Sequence, residues 1–283
     1  MSKVVDVAVN FRIGGGWDDS AFGGIFIKQR LGEGWDPEKG WDPDALIQHL
    51  DDAGIDMIGL ISNVWNVGGQ ELFVHADEVK VFIDKFPDRV FGWVGINPLQ
   101  GMETLRYIEY AVRDLGFKGV HCYPHWFGLP VNDRRYYPIY AKCAELGVPF
   151  AMQVGSPSVR AHAKMVARPT LLDDIAYDFP ELKLVGLHVG TPFANEMCML
   201  ARNYENVFII ADAYPPVDWE RDLLDYINQK EWNNVDGSDK VMWGTDHPVQ
   251  AFRPTLQQVR DHGFTPDIEA KLLGDNAVRI LNL

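Results

Sequence analysis

The feature that most constrains the fold is a regular alternation of short apolar segments with amphipathic helix patterns along the whole chain. The first apolar segment, Val4–Val9, is rich in valine. The second, Met57–Ser62, follows a helical pattern over Asp44–Ala53 that stops at Gly54. Six more apolar segments follow: Val90–Ile96, Gly119–Tyr123, Pro149–Val154, Leu184–Val189, Val207–Ala211 and Val241–Gly244. Strands that are apolar throughout are buried on both faces, which indicates a parallel sheet covered by helices.

Helical patterns separate these strands and follow the last of them. They cover Ala76–Phe86, Leu105–Leu115, Tyr137–Leu146, Leu171–Phe179, Asn195–Asn203, Trp219–Asn228, Thr255–His262 and Pro266–Leu273. Eight strands that alternate with helices in 283 residues predict a single α/β domain over residues 1–283, a (β/α)8 TIM barrel. A doubly wound open sheet is the alternative. It usually has fewer strands and begins with a phosphate-binding glycine turn, whose spacing the glycines at 14–16 lack.

The segment Phe11–Trp41, directly after the first strand, is too long for an ordinary connection. Loops of more than about 12–15 residues are usually functional lids or disordered. This one contains five large aromatic residues: Trp17, Phe22, Phe26, Trp35 and Trp41. We therefore predict a packed lid over one end of the barrel.

Charge and cysteine content limit the partners. The chain has 26 basic and 40 acidic residues, a net charge of −14, which argues against binding to nucleic acid or to an anionic membrane. No apolar stretch approaches the length of about 20 residues that spans a membrane.

Three cysteines without paired spacing indicate free thiols in a reducing compartment. We expect a cytoplasmic homodimer with a small-molecule substrate.

Polar and aromatic residues cluster at the predicted carboxyl ends of the strands. In a TIM barrel these ends form the active site. The residues are Asp6, Asn10, Asn63, Trp65, Asn97, His121, Tyr123, His125, Gln153, His188, Asp212, Tyr214, Asp246 and His247. A polar side chain in an apolar strand is costly to bury without a partner. Stability alone therefore does not explain so many polar groups at one end.

Four segments resemble the amidohydrolase-related family, the branch that includes aminocarboxymuconate semialdehyde decarboxylase and resorcylate-type decarboxylases. They are Tyr140–Pro149 (YAKCAELGVP), Phe179–Gly190 (FPELKLVGLHVG), Lys240–Pro248 (KVMWGTDHP) and Asp275–Arg279 (DNAVR). The resemblance covers strands five to eight and is weaker in the first half. It implies a TIM barrel with a metal centre at the carboxyl ends of the strands.

The metal centre of that family uses a His-x-His pair on strand one, a His on each of strands five and six, and an Asp on strand eight. In this chain Ala8 and Asn10 stand in place of the pair, and Gln153 replaces the strand-five His. Only His188 and Asp246 remain. Because zinc prefers imidazole, thiolate and carboxylate ligands, we predict a site without a metal cofactor.

The resemblance also implies a reaction, because the superfamily includes metal-free lactone hydrolysis with the strand-eight Asp as general base. We predict hydrolysis of a small cyclic ester, amide or related bond in an aromatic or carboxylated substrate. Asp246 would be the general base and His188 its acid or electrostatic partner. His121 and Gln153 would polarise the carbonyl, and Asn10 would hold the substrate. Further substrate contacts are expected from His125, Tyr123, Trp65 and Trp126.

Two alternatives remain open. The first is a metal-dependent decarboxylase of an aromatic or unsaturated carboxylic acid, with zinc or manganese on His121, His188 and Asp246. His121 lies where some superfamily members carry a metal-bridging lysine. The second is a barrel that binds a ligand without catalysis. Metal analysis separates the decarboxylase from the other two, and turnover of a lactone panel separates the hydrolase from the binding protein.

Overall fold

A computed structural model describes residues 2–13, 34–36, 38–67, 70–157, 164–231 and 235–283. Eight parallel strands pair in chain order. They are β1 Val5–Asn10, β2 Met57–Ser62, β3 Val90–Gly95, β4 Gly119–Cys122, β5 Phe150–Gln153, β6 Leu184–Leu187, β7 Val207–Ala211 and β8 Val241–Trp243. Val9 forms a parallel bridge with His247, and the Asn10 N–H donates to the His247 carbonyl at 2.9 Å. These contacts join the last strand to the first, and the predicted (β/α)8 barrel is confirmed.

The helices occupy the connections and begin where local signals indicate. Asp42 caps the first helix by accepting hydrogen bonds from the N–H groups of Asp44 and Ala45, and Gly54 ends it at φ 76°. The α-helices are Pro43–Ala53, Ala76–Lys85, Met102–Arg113, Pro124–Phe127, Tyr137–Leu146, Leu172–Asp178, Ala194–Asn203, Arg221–Ile227, Phe252–Asp261, Pro266–Ala270 and Asn276–Leu281. A π-helical turn over Lys271–Asp275 joins the last two. None of the described helices is long and apolar enough to cross a membrane.

Alternation along each strand divides the apolar side chains between two cores. On β5, Phe150 and Met152 belong to the larger cluster between strands and helices, whereas Ala151 belongs to the cluster inside the barrel. Because alternate strand residues share a face, Gln153 follows Ala151 toward the interior. The same alternation places His121 on the inner face of β4, between the outward-facing Val120 and Cys122. Strand geometry thus delivers polar groups to the carboxyl end of the barrel interior.

Two short elements near that end were not predicted. An antiparallel hairpin pairs Val64–Val67 with Gln70–Phe73 after β2, and the helix Pro124–Phe127 follows β4 directly. Neither has enough residues for a periodic pattern to stand out. Strand ends also differ, since β6 ends at Leu187 and a tight turn begins at His188.

The described part of the predicted lid packs at the same end. Residues Trp35–Asp36 and Gly40–Trp41 form a short antiparallel pair, and the Trp35 indole N–H donates to the Phe11 carbonyl at 3.1 Å. The ring of Trp41 lies 4.9 Å from that of His247. The other predicted lid aromatics, Trp17, Phe22 and Phe26, lie outside the described residues. Closure of a lid over the site therefore stays a prediction.

Candidate active site

Two tight turns at the ends of β6 and β8 carry His188 and Asp246. Their φ angles are 58° and 53°, in the left-handed region that costs a non-glycine residue about 1–3 kcal/mol. Among the buried polar side chains of the described chain they are the most accessible, at 5% for His188 and 8% for Asp246. The strained turns therefore carry the two polar groups that remain nearest to solvent.

His188 forms a buried ion pair with Asp212, the residue that follows β7. The His188 Nδ1 lies 2.9 Å from the Asp212 Oδ1, which also accepts the His188 backbone N–H at 2.6 Å. Burial disfavours the charged imidazole, but the charge and hydrogen bond of Asp212, together with Asp246, outweigh it and raise the pKa of His188 to about 9. His188 is consequently an imidazolium at neutral pH.

Replacing Asp212 by Asn is expected to let desolvation dominate the pKa of His188. The amide oxygen still accepts a hydrogen bond, but the charge that opposes desolvation is gone, so the pKa of His188 should fall below about 7. NMR titration of the imidazole measures this directly. Asp225→Asn on the surface, which removes the contact of Asp225 with Arg221, is the matched control and should leave the His188 pKa unchanged. A His188 pKa that stays near 9 in Asp212→Asn would contradict Asp212 as the cause of the raised pKa.

Asp246 has a carboxyl group that gains and loses its proton near neutral pH. Burial raises its pKa to about 7, although the positive charge of His188 acts in the opposite direction and the charge of Asp212 adds to the rise. Its Oδ1 accepts a hydrogen bond from the Asn10 amide at 2.8 Å. A buried acid with a pKa near the working pH can serve as a proton donor or acceptor.

Asn10 connects Asp246 to the neighbouring strands. Its Nδ2 faces the Asp246 Oδ1 and the backbone carbonyls of Asp246 and His247. Its Oδ1 accepts from the Asn63 Nδ2 at 2.9 Å and from the Tyr123 hydroxyl at 3.2 Å. These protein contacts occupy both ends of the amide. Asn10 thus positions Asp246, and its predicted role in holding the substrate stays a prediction.

Asp6 fixes the turn before Asp246 from inside the barrel. Its Oδ1 accepts the Thr245 N–H at 2.9 Å, and its Oδ2 lies 2.6 Å from the Thr245 hydroxyl. Burial raises the pKa of Asp6 to about 7, although the hydrogen bonds from Thr245 oppose the rise. Neither residue was assigned a role from the sequence. The only signal was a carboxylate in the middle of an apolar strand.

His121 is buried on the inner face of β4 and is neutral. Burial, followed by the charge of His188, lowers its pKa to about 3. Its ring lies 4.3 Å from that of Tyr123, and its Nδ1 has no hydrogen-bond partner among the described residues. His121 is thus uncharged, and its predicted role in polarising a substrate carbonyl stays a prediction.

The other predicted substrate contacts line the same end. The Trp65 ring lies 5.8 Å from the Tyr123 ring, and Trp126 is buried in the short helix after β4. His125 lies in that helix, and burial lowers its pKa to about 4. Gln153 ends β5 on the inner face. The structure therefore brings the predicted residues to one end of the barrel, while their contact with a substrate stays a prediction.

The residues present do not fit the metal centre that the resemblance implies. Among the described residues, no three His, Cys, Asp or Glu side chains are grouped to hold a metal ion. His121, His188 and Asp246 all lie in the described part of the chain, and they do not form such a group. The structure therefore does not support His121, His188 and Asp246 as a metal site.

Protein purified and dialysed against metal-free buffer is expected to retain less than about 0.2 equivalents of zinc, manganese or iron. A catalytic metal site usually needs at least three protein ligands, which the described residues at this end of the barrel do not supply. Inductively coupled plasma mass spectrometry measures the content. One equivalent of a transition metal that survives dialysis would contradict this prediction.

Solved structures with the same fold include proteins of named activity. An uncharacterised TIM-barrel protein from Bordetella bronchiseptica has a TM-score of 0.77 at 22% identity, covering 99% of this chain and 98% of that one. The 5-carboxyvanillate decarboxylase of Sphingomonas paucimobilis has a TM-score of 0.72 at 17% identity, with both chains covered completely. A dihydroxybenzoic acid decarboxylase from Polaromonas, solved with manganese and the inhibitor 2-nitroresorcinol, has a TM-score of 0.71 at 16% identity, covering 100% and 98%.

Sequence comparison assigns the family. The profile described as "Amidohydrolase" matches residues 25–283, which is most of the chain. The match extends from before the first helix to the last residue and includes the turns that carry His188 and Asp246. The chain therefore belongs to the amidohydrolase family.

Proposed function

We propose that this enzyme of the amidohydrolase superfamily is a carboxy-lyase that removes the carboxylate of a small aromatic or unsaturated acid as CO2. The observation that carries the proposal is the buried Asp246 carboxyl group, held by Asn10 and lying close to the His188–Asp212 ion pair. An acid that keeps its proton up to about pH 7 can donate it to carbon. The named activities of the structural relatives, both decarboxylations, also support this choice.

In the proposed reaction, Asp246 protonates the substrate carbon that carries the carboxylate. The π electrons of the substrate form the new C–H bond. The bond to the carboxylate then breaks, its electron pair restores the unsaturation, and CO2 leaves. Asp246 regains its proton from solvent. The His188 imidazolium is the buried cation that pairs with the substrate carboxylate until it departs.

Hydrolysis, the function first predicted from the sequence, receives less support. It would need Asp246 ionised as a general base, together with an electrophile that polarises a carbonyl. His121 and His125 are neutral because burial lowers both pKa values, so of these histidines only the His188 imidazolium could polarise a carbonyl. A substrate that supplies its own π electrons does not need an additional electrophile. The raised pKa of Asp246 and the named activities of the relatives therefore favour proton donation to carbon over activation of water.

The manganese of the Polaromonas enzyme favours a divalent ion over the absence of a cofactor, contrary to the prediction of none. Within the described ranges, no three His, Cys, Asp or Glu side chains are grouped to hold such an ion. The proposal accordingly assigns each step to Asp246 and His188. A homodimer and a cytoplasmic location stay predictions.

A panel of aromatic and unsaturated acids labelled with ¹³C at the carboxylate tests the proposal. The expected result is labelled CO2 and, in D2O, a product with deuterium at the carbon that lost the carboxylate. A lactone panel runs in parallel. Ring opening of a lactone without CO2 from any acid would favour the hydrolase, and no turnover of either panel would favour a ligand-binding barrel.

A further inference from the structure

We propose that Asn63, His125 and Gln153 form a subsite that binds O–H or N–H donor groups of the substrate. The inference rests on the proposed function in one respect. The proposed function pairs the reacting carboxylate with His188, and the subsite would bind the rest of the substrate. All three side chains are at least 96% buried, and each has a polar atom without a partner among the described residues: Asn63 Oδ1, His125 Nε2 and Gln153 Oε1. Two of these atoms are identified as acceptors by their surroundings.

The orientation of the Asn63 amide follows from a chain of hydrogen bonds that begins at Asp246. The backbone carbonyls of Asp246 and His247 accept only, so the Asn10 group that faces them is the NH2. The Asn10 oxygen therefore faces Asn63. The Asn63 NH2 group donates to this oxygen at 2.9 Å and to the Arg12 carbonyl oxygen at 2.9 Å. The Asn63 oxygen is thus the buried atom left without a partner.

The tautomer of His125 follows from one contact. Its Nδ1 lies 2.7 Å from the Lys164 carbonyl, which can only accept, so Nδ1 carries the hydrogen. Burial keeps the ring neutral by lowering its pKa to about 4. The Nε2 atom is consequently a bare acceptor with no partner in the described part of the chain.

The elements that carry Asn63, His125 and Gln153 pack against one another, and we place the proposed subsite on the wall that they form. Asn63 directly follows β2, and the hairpin strand Val64–Val67 packs against the short helix that contains His125. The same helix packs against β5, which ends at Gln153. The Trp65 and Tyr123 rings, 5.8 Å apart, lie beside this wall.

Three buried neutral atoms without a partner, two of them acceptors by their surroundings, select for a particular chemistry. Leaving each unpaired costs about 1–3 kcal/mol, which a ligand recovers by donating a hydrogen bond. A second carboxylate would bring acceptor against acceptor, and a methyl ether would offer no hydrogen. The substrate class is therefore a carboxylic acid that also carries hydroxyl or amino groups away from the reacting carboxylate.

Calorimetry with isomeric dihydroxybenzoates, each paired with its dimethyl ether, tests the subsite in protein dialysed against EDTA. Diaminobenzoates form a second arm that separates N–H from O–H donors. At least one donor-bearing isomer is expected to bind about 10-fold more tightly than its ether, because a site built for a donor rejects the analogue that lacks it. This preference should fall toward unity in Gln153→Met and in His125→Phe. It should persist in Gln48→Met on the outer helix.

The proposal is overturned if the ethers bind as well as the donor-bearing acids, if the preference survives both substitutions, or if no member of the panel binds. Each of these outcomes is distinct from failure of the proposed function. If labelled CO2 is still released in an Asp246-dependent reaction, the carboxy-lyase proposal holds and only the subsite proposal is wrong.

Discussion

Replacing Asp246 by Asn is expected to reduce decarboxylation at least about 100-fold while the fold is retained. General acid–base groups contribute about 10²–10⁴-fold in rate, and the proposed reaction has Asp246 as its proton donor. The asparagine oxygen can still accept the Asn10 hydrogen bond of 2.8 Å, so the network around the turn persists. The amide has no acidic proton to give to carbon. The loss is therefore expected in kcat, with a much smaller change in KM.

Release of labelled CO2 and thermal unfolding, measured on the same preparations, check this expectation. Asp225→Asn is the control because it removes a surface carboxylate and leaves the barrel interior unchanged. A melting temperature close to that of the wild type together with the rate loss assigns the effect to chemistry. An Asp246→Asn variant that keeps most of its turnover would remove Asp246 as the proton donor.

The sequence was sufficient to predict the barrel because each apolar segment is short and a helical pattern separates it from the next. The same pattern placed His188 near the end of the predicted sixth strand, Leu184–Val189, and Asp246 two residues after the predicted eighth, Val241–Gly244. Burial on both faces leaves only the strand ends for polar groups, so the site could be placed at one end of the fold. The family match over residues 25–283 agrees with that interpretation.

The roles of the supporting residues could not be predicted in this way. Pairing between Asp212 and His188, or between Asn10 and Asp246, depends on strand register and on left-handed turns that periodicity does not encode. Asn10 illustrates the consequence. Its strand position suggested a substrate contact, which stays a prediction, but it did not reveal that both ends of the amide pair with neighbouring residues. Which end of the Asn63 amide donates and which accepts likewise follows only from the hydrogen bonds of Asn10, the residue that it contacts.

The pH dependence of kcat/KM separates proton donation from general-base catalysis by Asp246. Burial raises the pKa of Asp246 to about 7, so the acid form predominates below that pH. A proton donor loses its proton as the pH rises through the pKa, and the rate then falls about tenfold per pH unit. A general base for hydrolysis would show the opposite slope, with a rate that rises to about pH 7. His188 stays charged to about pH 9 and does not mask either slope below that value.

The most direct test of the account is therefore kcat/KM from pH 5 to pH 9 for an acid that releases labelled CO2. The account predicts a plateau below about pH 7 and a decline above it, with the decline absent from the residual activity of Asp246→Asn. A kcat/KM that instead rises through pH 7 and levels off would contradict proton donation by Asp246.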